Sequence, residues 1–186
     1  MGIEVEKKYR LTPDEWARLS VRLRECGAVA DGEEFEENTL YAGGSLDLSR
    51  QVLRLRRAGN KAYFTYKERY PSVSPIKRQR EDETVVEDAQ ALSAILDALG
   101  YKPAVIYEKR RATWRLRNTE IVLDELPFGL FAEIEGEEEA ITEIENELGL
   151  NEVAAEMSSY PKLTRQHGLK RGDLIEARFK KDSAER

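Results

Sequence analysis

Residues 3–10, Ile-Glu-Val-Glu-Lys-Lys-Tyr-Arg, alternate between apolar and charged side chains. Such a period of two is typical of a β-strand, because successive side chains point to opposite faces. The apolar face of this strand carries Ile3, Val5 and Tyr9. The opposite face carries Glu4, Glu6, Lys8 and Arg10. The strand is therefore expected to pack on a core with one face and to present closely spaced charges on the other.

The same alternation recurs along the chain, and its charged faces are segregated by sign. The same-sign pairs are Arg54 with Arg56, Glu81 with Glu83, Lys109 with Arg111, and Glu133 with Glu135. An open antiparallel sheet with its charged face in water fits this alternation. A water-facing surface normally mixes signs, however, and like charges repel unless an opposite strand or a ligand compensates them. The segregation favours a closed barrel of six or more strands with a charged lumen.

Three helices are predicted between these strands. The sequence Thr12-Pro13-Asp14-Glu15 combines a capping Thr, a Pro at the first helical position and a Glu three residues after the cap. That helix is expected to end at Gly27, the second to run from Asp88 to Gly100, and the third from about 138 to 148. In the second helix, the residues predicted to be buried are Leu92, Ile95, Leu96 and Leu99. The fold class is therefore α+β, with helices packed outside the barrel.

Composition narrows the classes of function. The 186 residues include 36 acidic and 30 basic side chains, a net charge of −6, which argues against broad nucleic-acid binding. One cysteine and one histidine exclude a cysteine-ligated metal cluster and most histidine-based catalysis. No stretch approaches the ~20 apolar residues of a membrane span. A cytoplasmic protein is expected, in which carboxylates, lysines and arginines carry any chemistry.

Three Glu-x-Glu pairs lie on strand-like segments: Glu4 with Glu6, Glu81 with Glu83, and Glu133 with Glu135. Two carboxylates on one strand face can share a hard cation through their oxygens. The interleaved lysines and arginines can bind phosphate oxygens directly. Together they indicate a polyanion held partly through metal ions. The alternative is a set of internal salt bridges without a ligand, which is disfavoured because desolvation often exceeds the Coulomb gain.

This ordered set of motifs resembles the CYTH domain, or triphosphate tunnel metalloenzyme, superfamily. That superfamily includes class IV adenylyl cyclases, thiamine triphosphatases and inorganic triphosphatases. The segment Glu4-Val5-Glu6-Lys7-Lys8 is similar to its Glu-x-Glu-x-Lys signature. Over about residues 2–163 the resemblance continues through Leu53-Arg54-Leu55-Arg56, Thr65-Tyr66-Lys67, Glu81-Asp82-Glu83, Glu108-Lys109-Arg110-Arg111, Leu123-Asp124-Glu125 and Glu133-Ile134-Glu135.

The resemblance implies an eight-stranded antiparallel tunnel and assigns roles to its charged residues. It implies catalysis by Lys8, Glu6, Glu133 and Glu135. It implies triphosphate binding by Lys8, Arg54, Arg56, Lys67, Lys109 and Arg111. It implies Mg²⁺ or Mn²⁺ in an acidic set made of Glu4, Glu6, Glu81, Glu83, Asp124, Glu133 and Glu135.

Two positions depart from the family pattern. Many members carry Arg two residues before the middle acidic pair, where this chain has Gln79. An aromatic residue followed by Asp is frequent after the first helix, whereas here Tyr41 is followed by Ala42. Asn38 and Tyr41 fit the tunnel mouth, and an edge-strand tyrosine is the alternative for Tyr41.

The sequence therefore predicts a metal-dependent hydrolase that converts inorganic tripolyphosphate to pyrophosphate and phosphate. The alternative is a class IV adenylyl cyclase that forms cyclic AMP and pyrophosphate from ATP. Thiamine triphosphate hydrolysis and a non-catalytic sensor of nucleotides or polyphosphate are further possibilities. Residues 1–165 are expected to form the tunnel domain, and residues 166–186 a helical tail around Leu174, Ile175 and Phe179. No nucleic-acid or membrane partner is expected, and a homodimer is compatible with the sequence.

Overall fold

The computed structural model describes residues 2–180. Eight strands in this range form the body of the protein: β1 Gly2–Leu11, β2 Val29–Ala42, β3 Gln51–Ala58, β4 Lys61–Arg69, β5 Ile76–Val86, β6 Lys102–Leu116, β7 Thr119–Leu126 and β8 Gly129–Glu135. Four helices accompany them: α1 Pro13–Glu25, α2 Ala89–Ala98, α3 Glu138–Leu148 and α4 Tyr160–His167. Two short strands follow, β9 Leu169–Arg171 and β10 Leu174–Ala177.

The sheet closes on itself through the long pairing of β2 with β6. This antiparallel pairing extends from Val29 opposite Arg115 to Ala42 opposite Lys102. The remaining strands complete the circuit in the order β2-β3-β4-β5-β1-β8-β7-β6. The predicted eight-stranded antiparallel barrel is therefore confirmed. Closure leaves the odd and even positions of each strand facing either the lumen or the outer layer of helices.

Apolar residues form the outer core between the barrel and its helices. α1 and α3 cover β1, β7 and β8 through a cluster that includes the fully buried Leu23, Ile121 and Ile134. Trp16 and Cys26 are partly buried against the same cluster. α1 begins where expected, because Thr12 caps it and Glu15 completes the capping box. The capping and amphipathic signals thus placed α1, α2 and α3 correctly, whereas α4 was not predicted.

α2 is less buried than its sequence suggested. Leu96 is buried and Leu92 packs partly on β3 and β4. Ile95 and Leu99, predicted to be buried, are 55% and 66% exposed. The reason is geometric, since a helix on the outside of a barrel contacts the sheet along one narrow stripe.

The C-terminal segment is a second place where the structure differs from the sequence prediction. Residues 174–177, predicted to be helical, form β10, which pairs in parallel with β6 from Ile175 opposite Val105 to Ala177 opposite Tyr107. β7 pairs with β6 only from Arg110 onward, so β10 satisfies backbone groups on the earlier part of that edge. The boundary predicted at residue 165 falls inside α4, and the tail after residue 180 lies outside the described residues. No helix within residues 2–180 is long and apolar enough to cross a membrane.

Candidate functional site

The barrel encloses a charged cavity of about 260 Å³. Twelve of the thirteen charged residues assigned to the site from the sequence line this cavity. The thirteenth, Asp124, is fully buried behind the lining and bonded to Arg111. Glu81 and Glu83, which the resemblance placed in the acidic set, also line the cavity. Strand periodicity therefore brings together acidic and basic residues from seven strands, β1 and β3 to β8.

One group of these side chains forms a dense network, here called the central cluster. Its members are Lys8, Glu36, Lys109, Arg111, Asp124 and Glu133. Arg111 donates from Nε to Asp124 Oδ1 at 2.8 Å and from Nη2 to Asp124 Oδ2 at 2.6 Å. The same Nη2 donates to Glu133 at 3.0 Å, and Lys8 Nζ lies 3.0 Å from the other Glu133 oxygen. The network thus fixes a guanidinium and an ammonium group at the tunnel wall.

Burial and charge act in opposite directions on the pKa values in this cluster. Burial alone favours neutral carboxyl groups, but Lys109, Arg111 and Arg56 hold the pKa of Glu36 well below its usual range. Lys8, followed by Arg111, similarly lowers the pKa of Glu133 against the effect of burial. Both carboxyl groups are therefore ionised at neutral pH. The basic groups of the cluster already have counter-charges, which an incoming anion has to share.

A second group surrounds Lys67. Its ammonium lies 2.6 Å from Glu4 and 2.9 Å from Glu81. Gln79 donates from Nε2 to Glu4 at 2.7 Å. The family pattern has Arg at position 79 in many members, whereas in this chain the Gln79 amide binds the Glu4 carboxylate. The substitution removes one positive charge from the lumen.

Arg54 and Arg56 lie on β3, next to the strand that carries Lys67, and share the carboxylate of Glu83. The distances from Glu83 are 3.6 Å to Arg54 and 3.0 Å to Arg56. Thr65 donates to the same carboxylate at 2.8 Å. The Nε atoms of both arginines are buried without a hydrogen-bond partner among residues 2–180. Buried donors of this kind are costly unless a ligand or water satisfies them.

The carboxylate of Glu135 lies in a part of the tunnel that is short of positive charge. Burial, followed by repulsion from Glu4 and Glu120, raises the pKa of Glu135 to about 7. Excess negative charge and hard oxygen donors fit a divalent cation such as Mg²⁺ or Mn²⁺. Within residues 2–180, however, no three acidic, histidine or cysteine side chains converge closely enough to form a complete metal site. Binding a cation would require carboxylates such as Glu4 to exchange a lysine partner for the metal.

The comparisons with known proteins agree with this geometry. The CYTH domain family model matches residues 2–158. This chain belongs to the CYTH family. Members of the family are enzymes that act on triphosphates and generally depend on divalent metal ions.

Individual relatives support the same assignment. The CYTH chain is 28% identical over 137 residues to a candidate adenylate cyclase from Methanocaldococcus jannaschii, covering 72% of this chain and 76% of the relative. A solved structure from Pyrococcus horikoshii is 26% identical, with a TM-score of 0.76, and the match covers 86% of this chain and 98% of that one. A candidate adenylyl cyclase from Hippeastrum, described as having a dominant triphosphatase activity, shares the fold at 20% identity and a TM-score of 0.67. The match covers 86% of this chain and 93% of that one.

Several residues of this CYTH tunnel were missed by the sequence analysis. Glu36 is fully buried and contacts Lys109 at 3.3 Å and Arg56 at 3.4 Å. It lies in the run Glu33-Glu34-Phe35-Glu36-Glu37, which resembles a solvated acidic surface, although its spacing of two from Asn38 was a usable signal. Other missed lining residues are Arg69, Tyr107, Glu120, Ser159, Tyr160 and Pro161.

Asn38 and Tyr41 separate onto opposite sides of the barrel wall. Asn38 is fully buried and donates to Glu36 at 3.0 Å. Tyr41 instead packs outward against α2, where its hydroxyl lies 3.1 Å from the Ser93 hydroxyl. Tyr41 therefore does not line the mouth of the CYTH tunnel. The difference follows from strand geometry, since positions 38 and 41 have opposite parity.

Proposed function

We propose that this protein hydrolyses linear triphosphates, most simply inorganic tripolyphosphate to pyrophosphate and phosphate, with Mg²⁺ or Mn²⁺. The observation that carries the proposal is the pair of buried, unpartnered Nε atoms of Arg54 and Arg56 in a tunnel that also contains other basic groups. Guanidinium donors without partners fit a phosphate chain, which offers many acceptor oxygens. The acidic surroundings of Glu135 support a cation beside that chain.

The basic residues bind and orient the substrate in this proposal. Arg54, Arg56 and Lys67 contact phosphates from one wall, and Lys8 and Arg111 contact them from the central cluster. Their positive charges stabilise the charge that spreads over the transferred phosphoryl group. The carboxylates of Glu4, Glu6, Glu133 and Glu135 would hold the metal. A divalent cation there supplies a Lewis acid and lowers the pKa of a bound water.

Product analysis tests this proposal directly. Purified protein is offered tripolyphosphate and ATP separately with Mg²⁺ or Mn²⁺, and orthophosphate, pyrophosphate and cyclic AMP are resolved. We expect equal amounts of orthophosphate and pyrophosphate from tripolyphosphate, and no cyclic AMP from ATP. Binding of tripolyphosphate without turnover would instead identify a non-catalytic sensor and contradict the proposal.

Two neighbouring arginines provide a matched pair of variants for this assay. Arg56 faces the lumen, whereas Arg57 faces outward and pairs with Glu37 at 3.5 Å. Arg56→Ala is expected to lower kcat/KM for tripolyphosphate by about 10- to 150-fold, since a charged hydrogen bond to the substrate contributes ~1.5–3 kcal/mol. Arg57→Ala is expected to stay within about threefold of wild type. Equal effects would show that the lumen does not bind the substrate.

Adenylyl cyclisation is the second candidate function. The similarity to a candidate adenylate cyclase from Methanocaldococcus jannaschii favours it. A tunnel that binds three phosphates can also present the α-phosphate of ATP to the 3′-hydroxyl, so the fold does not select the reaction. Cyclic AMP and pyrophosphate from ATP, with intact tripolyphosphate, would establish this alternative. Thiamine triphosphate as a third substrate tests the remaining possibility.

Location and assembly also belong to the proposal. We infer a cytoplasmic protein from the composition and a homodimer as a possible assembly. Light scattering coupled to size-exclusion chromatography measures the mass directly. A mass of about 21 kDa per particle would exclude the dimer.

A further inference from the structure

Tyr160 enters the tunnel from outside the barrel strands. It is the first residue of α4, only 6% exposed, and it lines the cavity together with Ser159 and Pro161. Ser159 caps the helix by accepting from the Lys162 backbone N–H, which fixes where the first turn begins. The Tyr160 ring also packs against Phe131 at a centroid distance of 5.4 Å. The position of this side chain is therefore set by both the helix start and the barrel wall.

The hydroxyl of Tyr160 completes the hydrogen bonding of Asp124. It donates to Asp124 Oδ2 at 2.9 Å. The same carboxylate accepts two bonds from Arg111, and Lys109 Nζ lies 3.4 Å from Oδ2. Three of these four donors approach Oδ2 and one approaches Oδ1, so both oxygens of this buried carboxylate are hydrogen-bonded. The two bonds to Arg111 make Asp124 an orienting group for that guanidinium, whereas the family resemblance implied that it binds metal.

The ring of Tyr160 acts on a different part of the central cluster. Lys8 Nζ lies 3.6 Å from the ring centroid, and Lys109 Nζ lies 5.6 Å from it. An aromatic face attracts an ammonium group without neutralising its charge. Lys8 has one ion-pair partner within 4.0 Å among the described residues, Glu133 at 3.0 Å. The ring therefore holds the Lys8 ammonium in place while leaving more of its charge available to an anion.

We propose that Tyr160 is a positioning residue, whose hydroxyl orients Arg111 through Asp124 and whose ring holds Lys8 toward a bound triphosphate. The inference rests on the proposed function, because it assumes that a triphosphate occupies the tunnel. It assigns two separable tasks to one side chain. The orientation of Arg111 affects how strongly the charge that develops during phosphoryl transfer is stabilised. The orientation of Lys8 affects substrate binding.

Two substitutions separate these tasks. Tyr160→Phe removes the hydroxyl and keeps the ring, and we expect kcat for tripolyphosphate to fall about tenfold or more with KM changed less than threefold. Tyr160→Leu removes the ring as well, and we expect KM to rise about fivefold in addition. Tyr41→Phe is the matched control, since it removes a buried hydroxyl that bonds only outside the lumen, to Ser93. It should leave both constants within twofold of wild type.

A spectroscopic readout makes the test independent of turnover. A ring 3.6 Å from an ammonium displaces the adjacent ε-methylene proton signals of Lys8 upfield. We expect this displacement in wild type and in Tyr160→Phe, and its loss in Tyr160→Leu, with the signal assigned through Lys8→Arg. An undisplaced signal in wild type would overturn the inference. So would kcat and KM within twofold of wild type in both Tyr160 variants.

The two proposals fail in distinguishable ways. A wild-type protein that binds tripolyphosphate without hydrolysing it overturns the proposed reaction only. The inference is then decided by calorimetric binding of tripolyphosphate without metal, where Tyr160→Leu has to bind at least fivefold more weakly than wild type. Equal binding by wild type and Tyr160→Leu overturns the inference. A wild-type protein that binds no tripolyphosphate overturns both.

Discussion

Arg110 and Arg111 are adjacent on β6, yet their replacement by Ala is expected to have very different costs. Arg111 is 16% exposed and neutralises two carboxylates, Asp124 and Glu133. Its removal leaves these charges buried and undercompensated, an arrangement that typically costs about 3–5 kcal/mol. Arg110 is 57% exposed and pairs with Glu125 at 3.0 Å, and its guanidinium lies 4.2 Å from the Phe179 ring centroid. A surface ion pair and an exposed cation–π contact together contribute about 0.5–2 kcal/mol.

Urea unfolding in the presence of a chelator measures both costs. The expected order is a loss of about 3–5 kcal/mol for Arg111→Ala and about 0.5–2 kcal/mol for Arg110→Ala, read from the midpoint at constant m-value. A total stability of ~5–15 kcal/mol leaves both variants measurable. Tripolyphosphate should stabilise wild type more than Arg111→Ala, because that variant has lost one phosphate contact. Equal losses for the two variants would refute the view that the lumen charges are held as compensated buried pairs.

Three further outcomes follow from the site and its supporting turns. Lys8→Ala and Glu6→Ala should each nearly abolish hydrolysis of tripolyphosphate. Both variants should keep the far-ultraviolet circular dichroism of wild type. Wild-type rates in both would refute the site assignment. The pKa of Glu135 is raised to about 7 from an ordinary value of 4.5, so the folded protein binds one more proton than the unfolded chain between these two pH values. The free energy of unfolding, measured in chelator, should therefore fall as the pH rises through this window. Glu135→Gln should remove this pH dependence. Gly43→Ala should lower the midpoint of thermal unfolding more than Gly59→Ala. An added Cβ at Gly43 would lie 2.3 Å from the backbone carbonyl oxygen of Gly100, whereas an added Cβ at Gly59 would have no atom within 4 Å.

Local signals carried much of the correct prediction. The alternation in residues 3–10 placed Glu4, Glu6 and Lys8 on one face, and the structure puts all three on the tunnel lining. The capping residues of α1 also marked the start of that helix correctly. These features depend on residues that are close in the chain, so the sequence contains the information needed to predict them. The closed barrel itself was favoured by the sign segregation of the charged faces and by the family resemblance.

Long-range packing explains what the sequence analysis missed or predicted wrongly. β10 forms because β7 leaves part of the β6 edge unpaired. The sequence of residues 174–177 does not show that this strand edge is available. Ile95 and Leu99 have a helical apolar pattern, but the contact between α2 and the barrel is too narrow to bury them. Glu36 lies among other acidic residues that are more exposed, and strand pairing places it beside Lys109.

Strand parity and charge sign are local properties, so the sequence alone indicated which charged side chains share a strand face and that they suit a polyanion held partly through metal ions. The family resemblance added the triphosphate and the inward orientation of Glu81 and Glu83. Only the tertiary structure decided how these charges are partnered. It showed Asp124 bound by Arg111 and Tyr160, Glu4 bound by Lys67 and Gln79, and the acidic surroundings of Glu135. Partner choice depends on ångström-scale distances across the lumen, and those distances exist only once the barrel closes and α4 packs against it.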